Sequence, residues 1–308
     1  MSFRVTILVL LLYALHRTTA RADDRSVETT SLTGVPLKRP HIPPERRAKL
    51  EDDLAKAKAE HDADPNSEDA AIWYGRRLAY LGRYRDAIDA FSKEIDRHPQ
   101  SYKLLRHRGH RYITLREFDK AVTDLTRAAE LSNKAEDGLE PDGAPNAKNV
   151  PRSTNLSNIQ YHLALAHYLK GDFRQAAAWW TTCTGLSRND DMRVATGYWL
   201  YLSLRRAGAP HDEAKFVLDE VKPEMDVNEN GAYHRLLLMF KGELTEAQVR
   251  EGSTDDAIAD ATIGYGLGAW KLINGDTAAA RKHFEQVLSG SNWAPFGYIA
   301  AEAELARR

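Results

Sequence analysis

The chain of 308 residues has one cysteine, Cys183, so no disulfide can form within it. Its formal net charge is −1, which removes any global electrostatic reason to expect nucleic acid. After the first residues no apolar run is long enough to span a bilayer as a helix. The sequence has no HExxH zinc pattern, no serine nucleophile elbow and no complete glycine-rich phosphate loop. Gly264 to Gly268 reads G-Y-G-L-G, but it lacks the third spaced glycine and continues a helical pattern, which fits close helix packing. Two acidic pairs, Asp190-Asp191 and Asp255-Asp256, stand at helix starts, where carboxylates favour the helix dipole. These absences leave no constellation for catalysis, so the expectation is a non-catalytic protein with no catalytic residue, cofactor or dedicated metal set.

The one apolar stretch, Val5 to Leu15, is too short to cross a membrane. It follows Arg4 and precedes Thr18-Thr19-Ala20-Arg21-Ala22, which offers two small-x-small cleavage options. Residues 1–22 therefore read as a signal peptide, and the mature chain as exported with no later span. Cleavage after Ala22 removes three arginines and no acid, which takes the charge from −1 to −4. A bridge-free exported chain of this size suits a bacterial periplasm or extracytoplasmic space. Asp23 to Pro44, polar and rich in Thr and Pro, reads as a disordered linker.

What the chain does have is a pattern written twice. Gly75, Gly82, Tyr84, Ala87, Phe91 and Pro99 recur 34 residues on as Gly109, Arg116, Phe118, Ala121, Leu125 and Asn133. A period of this length marks a solenoid, whose units bury their apolar faces by stacking on neighbours. Small residues at 75 and 109 allow close helix approach, and Gly82 supplies a turn. Glu45 to His61 reads as a helix, and its terminal Pro65 lies 34 residues before Pro99, so residues 45–67 form a half repeat. Full units follow at 68–101 and 102–135, then an insertion at 134–154 rich in Gly, Pro, Asn and Asp, read as mobile. Further units are expected at 157–190, 191–222 and 255–290, with 223–254 off the period. Residues 293–308 read as a capping helix with Ala and Glu turned outward.

On these residues the chain resembles the tetratricopeptide repeat family. The resemblance implies an all-α fold: a right-handed α-solenoid of antiparallel helical hairpins. It also implies an interaction scaffold whose concave groove, lined by the first helix of each unit, holds a peptide or protein segment. By position the groove would show Trp73, Arg76 and Tyr80, then Lys103, Arg106, His107 and His110, then Asn158, Tyr161 and Tyr168. The middle contribution is basic, which suits an acidic partner, with Arg76 and Arg106 as carboxylate forks. Chaperone-binding members clamp a terminal carboxylate with asparagine where this chain has Arg76 and His110, so that specific clamp is not expected. In a plainer reading, Arg77, Arg108 and Arg111 simply pair with acids of adjoining helices. An alternative function is a small-ligand or metal-binding accessory protein built on His107, His110 and His162, since His107 and His110 are spaced to share a helix face.

Overall fold

The computed structural model describes residues 26–143, 146, 148–251 and 257–307. The expected signal segment and the Asp255-Asp256 pair lie outside the described residues. After α1 (Pro44–Ala63) the helices run in antiparallel pairs. These are α2 (Glu68–Tyr80) with α3 (Tyr84–Arg97), α4 (Tyr102–Thr114) with α5 (Phe118–Ser132), and α6 (Asn155–Lys170) with α7 (Phe173–Gly185). The array continues with α8 (Asp190–Arg206) and α9 (His211–Asp219), α10 (Gly231–Lys241) and α11 (Glu246–Glu251), and α12 (Ala257–Ile273) and α13 (Thr277–Leu288). It ends with α14 (Phe296–Ala306).

The 34-residue period is visible at atomic detail. Ser67 and Ser101 both cap the helix that follows, accepting the amides of Ala70 and Leu104 at 3.2 and 3.0 Å. Gly75 faces Phe91 and Gly109 faces Leu125, both fully enclosed apolar side chains, each stabilising the hairpin by roughly 1.5–3 kcal/mol. A Cβ at Gly75 would stand 2.3 Å from the Phe91 ring, so only glycine admits this approach. The turn position takes positive φ in both units, 71° at Gly82 and 65° at Arg116. An arginine there is held against its backbone preference, which costs roughly 1–2 kcal/mol. The glycines of Gly264 to Gly268 let Val287, Leu236 and Phe284 press onto α12, as close packing requires.

At the two ends of the array the sequence expectations change. Residues 27–38 are not a disordered linker. Val27–Thr30 (β1) and Pro36–Lys38 (β2) pair antiparallel, with Val27 opposite Lys38. This short hairpin is held by tertiary contacts, because two strands alone are marginal in water. Thr29 donates to the Leu115 carbonyl at 2.9 Å, and Trp293 Nε1 donates to the Lys38 carbonyl at 2.7 Å. Glu28, almost fully buried, accepts from Arg39 and from the Arg85 amide.

The terminal helix is not an outward cap. Ala300, Ala301, Glu302 and Ala303 are all buried. Phe296 of α14 lies 5.4 Å from the His110 ring of α4 and 6.3 Å from Tyr161 of α6. Glu302 forms a buried fork with Arg116, Oε1 to Nε at 3.0 Å and Oε2 to Nη2 at 2.8 Å, and its Oε1 also accepts the Leu32 amide. Arg307 donates to the carbonyls of Tyr168 and Leu169 at the end of α6. Thus α14 reaches back into the concave side of the first units. The main core runs through the same place: Trp180 stacks on Trp199, which stacks on Tyr265, and Tyr168 and Tyr265 share a 2.6 Å hydroxyl bond.

Candidate peptide-binding face

The first helices α2, α4 and α6 stand side by side, so residues one period apart share the concave face. Trp73 is half-exposed, with the Arg76 guanidinium 4.3 Å and that of Arg77 5.0 Å from its ring centroid. Arg76 Nε also donates to the Tyr80 hydroxyl at 3.2 Å. Lys103 sits at the N-terminal end of α4, 3.4 Å from Glu68 and 3.8 Å from Asp69. Arg106, His107, His110 and Asn158 continue the same side of the array, whose positive charge comes from Arg76, Arg77, Lys103 and Arg106.

That face is already occupied at its centre. The two ends of the 134–154 insertion, a segment expected to be mobile, pair along it, with Leu139 bridging to Thr154 and the Glu140 amide donating to the Ser153 carbonyl. This pairing delivers the Glu140 carboxylate, 6% exposed, into the basic cluster. Arg106 Nη2 is 3.2 Å from Oε2, Arg76 Nη1 is 3.9 Å from Oε1, and His107 Nε2 is 3.8 Å from Oε1. Asn158 Nδ2 donates to Glu140 Oε2 at 2.8 Å. A buried carboxylate needs such partners, since desolvation alone would cost it several kcal/mol. Sequence reasoning missed Glu140; the only signal was its acidity in a loop (Glu136, Asp137, Glu140, Asp142) beside a basic helix.

The last two groove candidates are core residues. Tyr168 is 1% exposed and bonded to Tyr265, and Tyr161 is buried with its hydroxyl accepting from Trp199 Nε1 at 2.9 Å. Both face inward because α8 and α12 pack where an open groove would continue.

The three histidines do not form a ligand set. His110 and His162 lie 4.3 Å apart by ring centroid, while His107 stacks on Phe91 and bonds Arg106 through Nδ1. His162 Nδ1 is tied to the Asn158 carbonyl. Burial pulls all three well below the ordinary histidine pKa, and the guanidinium groups of Arg106 and Arg111 push the same way. The same charges repel a cation. Among the described residues no three His, Cys, Asp or Glu side chains are grouped to hold a metal.

The plainer reading of the arginines holds for two of three. Arg77 pairs with Asp53 at 3.4 Å, and Arg108 forks onto Asp124 at 2.7 and 2.8 Å. Arg111 pairs with no acid among the described residues. Its guanidinium lies over the Tyr84 ring at 5.6 Å, and burial draws its pKa down to about 10. It lines an open cavity of about 580 Å³ at the ends of α2 and α4. Tyr80, Tyr84, Ile42, Pro295 and Phe296 form much of the wall, and Arg46 and His41 stand at it too. Behind it a recess of about 130 Å³ leads to Arg76, Arg106, His107 and Glu140, sharing Tyr80, His110 and Arg111 with the outer cavity. Across Phe296 a further cavity of about 540 Å³ is lined by Asn158, Tyr161, His162, Asn228, Glu229 and Asn230. Asp191 stands in the first turn of α8, as expected of a helix-start charge, and it also organises that loop: fully buried, it accepts the amides of Asn228, Glu229 and Asn230.

No family model and no curated protein matches the sequence. The fold does find neighbours. A tetratricopeptide repeat protein from Parabacteroides merdae superposes with a TM-score of 0.51 at 14% identity, over 85% of this chain and 94% of the other. Looser neighbours are YrrB, described as a TPR protein with an unusual peptide-binding site (TM-score 0.39, 12% identity, 81% and 97% covered), and the TPR domain of P58(IPK) (TM-score 0.24, 13% identity, 84% and 93% covered). No helix among the described residues is long and apolar enough to cross a membrane. The chain has the tetratricopeptide-repeat fold, an α-helical solenoid of hairpins whose concave side is partly filled by its own last helix.

Proposed function

We propose that this protein is an exported, non-catalytic interaction scaffold that holds an acidic peptide or protein segment against the basic end of its concave face. One observation carries the reading: the cluster of Arg76, Arg106 and Asn158 already binds a carboxylate presented on an extended, acidic stretch of chain, that of Glu140. A site that takes a carboxylate from a loop has the chemistry to take one from a partner, and charge-assisted bonds of this kind are worth roughly 1.5–3 kcal/mol each. The adjoining cavity, with aromatic walls and the further cation Arg111, gives such a segment room beside the resident loop. Export rests on the basic and apolar features of residues 1–22.

The test is fluorescence anisotropy with a labelled twelve-residue peptide rich in Glu, Asp and Leu, against the same peptide with Gln and Asn in place of the acids. The acidic peptide should bind and weaken steeply with salt, and the neutral one should not. Equal binding of both, or binding of neither, rejects the acidic-segment reading. For export, a reporter fused to residues 1–22 should appear outside the cytoplasm of a bacterial host; retention inside rejects that part.

A further inference from the structure

The arginines of the repeat units are matched with care. Arg85 meets Glu117, Arg108 meets Asp124, Arg116 meets Glu302, and Arg76 and Arg106 share Glu140. Arg111 breaks this rule. It is half-buried against Tyr84, with neither a carboxylate nor a carbonyl as partner among the described residues. Its desolvation is offset by the Tyr84 ring alone and by no ion pair, so it contributes little to the fold. A charge left in this state inside an open cavity is matched when something else brings the counter-charge.

We propose that Arg111 anchors a ligand site of its own, taking the carboxylate of an anion with an apolar body. The guanidinium offers a planar fork that suits a carboxylate with two parallel bonds. Tyr80, Tyr84 and Phe296 supply flat apolar walls, and Ile42 and Pro295 extend them. Arg46, with no ion pair among the described residues, adds a second positive charge. The cavity of about 580 Å³ accommodates a ligand of roughly drug-like size, or two to three residues of a peptide. The site is separate from the Glu140 position, which the chain fills itself. It deepens the scaffold reading and rests on it in one respect, that the carboxylate belongs to a bound segment; a free small acid is the other source of the same chemistry.

The experiment uses the full chain and three probes by calorimetry: phenylacetate, phenylacetamide and inorganic phosphate, followed by the acidic peptide above. Phenylacetate should bind and its neutral amide should not, while phosphate, lacking the apolar body, should bind more weakly than phenylacetate. Arg111→Gln should lose about tenfold to a hundredfold of the affinity for phenylacetate, the range for a charge-assisted bond. Arg127→Gln, which removes an exposed guanidinium already paired with Glu130 on α5, should leave that affinity unchanged. The melting temperature is the second readout. Arg111→Gln should melt at the same temperature as the wild type or higher, whereas a structural Arg111 would melt lower when removed. Equal affinity of the two chains for phenylacetate, or a clear fall in melting temperature with no loss of binding, overturns the proposal. If the peptide binds both chains equally but fails on Arg106→Gln, the scaffold reading stands and the Arg111 site falls. If phenylacetate binds through Arg111 and the peptide does not bind at all, the site stands for a free acid and the scaffold reading falls.

Discussion

Replacing Glu302 by Gln tests whether α14 truly closes the array. The Glu302 side chain is fully buried and its partner Arg116 nearly so, and two bonds of 2.8 and 3.0 Å join them. The amide keeps the shape but leaves the guanidinium uncompensated, which costs about 3–5 kcal/mol for a buried pair. For a domain of this size each kcal/mol moves the melting temperature by about 2–4 °C, so Glu302→Gln should melt about 6–20 °C lower. Arg116→Gly makes a sharper test, because two effects oppose. Glycine removes the penalty of φ at 65°, a gain of roughly 1–2 kcal/mol, yet it strands the Glu302 carboxylate in the core. The charge effect is larger, so the variant should still lose about 1–4 kcal/mol, even though glycine fits the turn better. Leucine at both positions removes both charges and should recover much of the loss, short of the bonds that Thr114, Trp293 and Leu32 give up. Urea denaturation followed by circular dichroism measures all three. If Glu302→Gln and Arg116→Gly both stay within about 0.5 kcal/mol of the wild type, the buried fork does not exist and α14 is not seated as described.

Gly75→Ala should destabilise the first full unit by about 1–3 kcal/mol, since its new methyl meets the Phe91 ring; Gly109→Ala should do the same against Leu125. Denaturation midpoints check both, and an unchanged midpoint would refute the close-approach argument. Glu140→Gln should bind the acidic peptide more tightly, because the internal carboxylate no longer competes, while its melting temperature falls as Arg76 and Arg106 lose their partner. Weaker binding by this variant would show that Glu140 shapes the site rather than occupying it. Stability should drop on acidification below about pH 6.5. The unfolded chain takes up protons on His107, His110 and His162 there, while burial beside Arg106 and Arg111 keeps the folded chain from doing so. Each such histidine contributes up to about 1.4 kcal/mol per pH unit. A triple His→Gln variant should flatten that part of the urea-midpoint profile; an unchanged profile contradicts it.

The hairpins were legible because their signals are local. Gly75 and Gly109 repeat one period apart, and so do Ala87 and Ala121, so periodicity alone locates α2 to α5. Four features were not legible, and each depends on a distant partner. Alanine is the best helix former on an exposed face and also the residue that lets helices touch, so the Ala-rich α14 reads equally well outward or inward. Its direction is decided by Arg116, 186 residues before Glu302. The strands at 27–38 are stabilised by Leu115 and Trp293 rather than by their own propensity. Glu140 is unremarkable as a loop acid until α4 and α6 bring Arg106 and Asn158 to it. Tyr161 and Tyr168 occupy groove positions by their period, but α8 and α12 cover them, which no pattern within α6 could reveal.

The closure of the concave side is tested most directly by amide hydrogen exchange across α14 in the full chain. With Ile299 to Ala303 buried against α12 and the first units, their amides should exchange as slowly as those of the central core helix α8, opening only with global unfolding. Exchange of this segment in seconds, while α8 stays protected, would mean that the helix lies free in solution and that the concave face is an open groove.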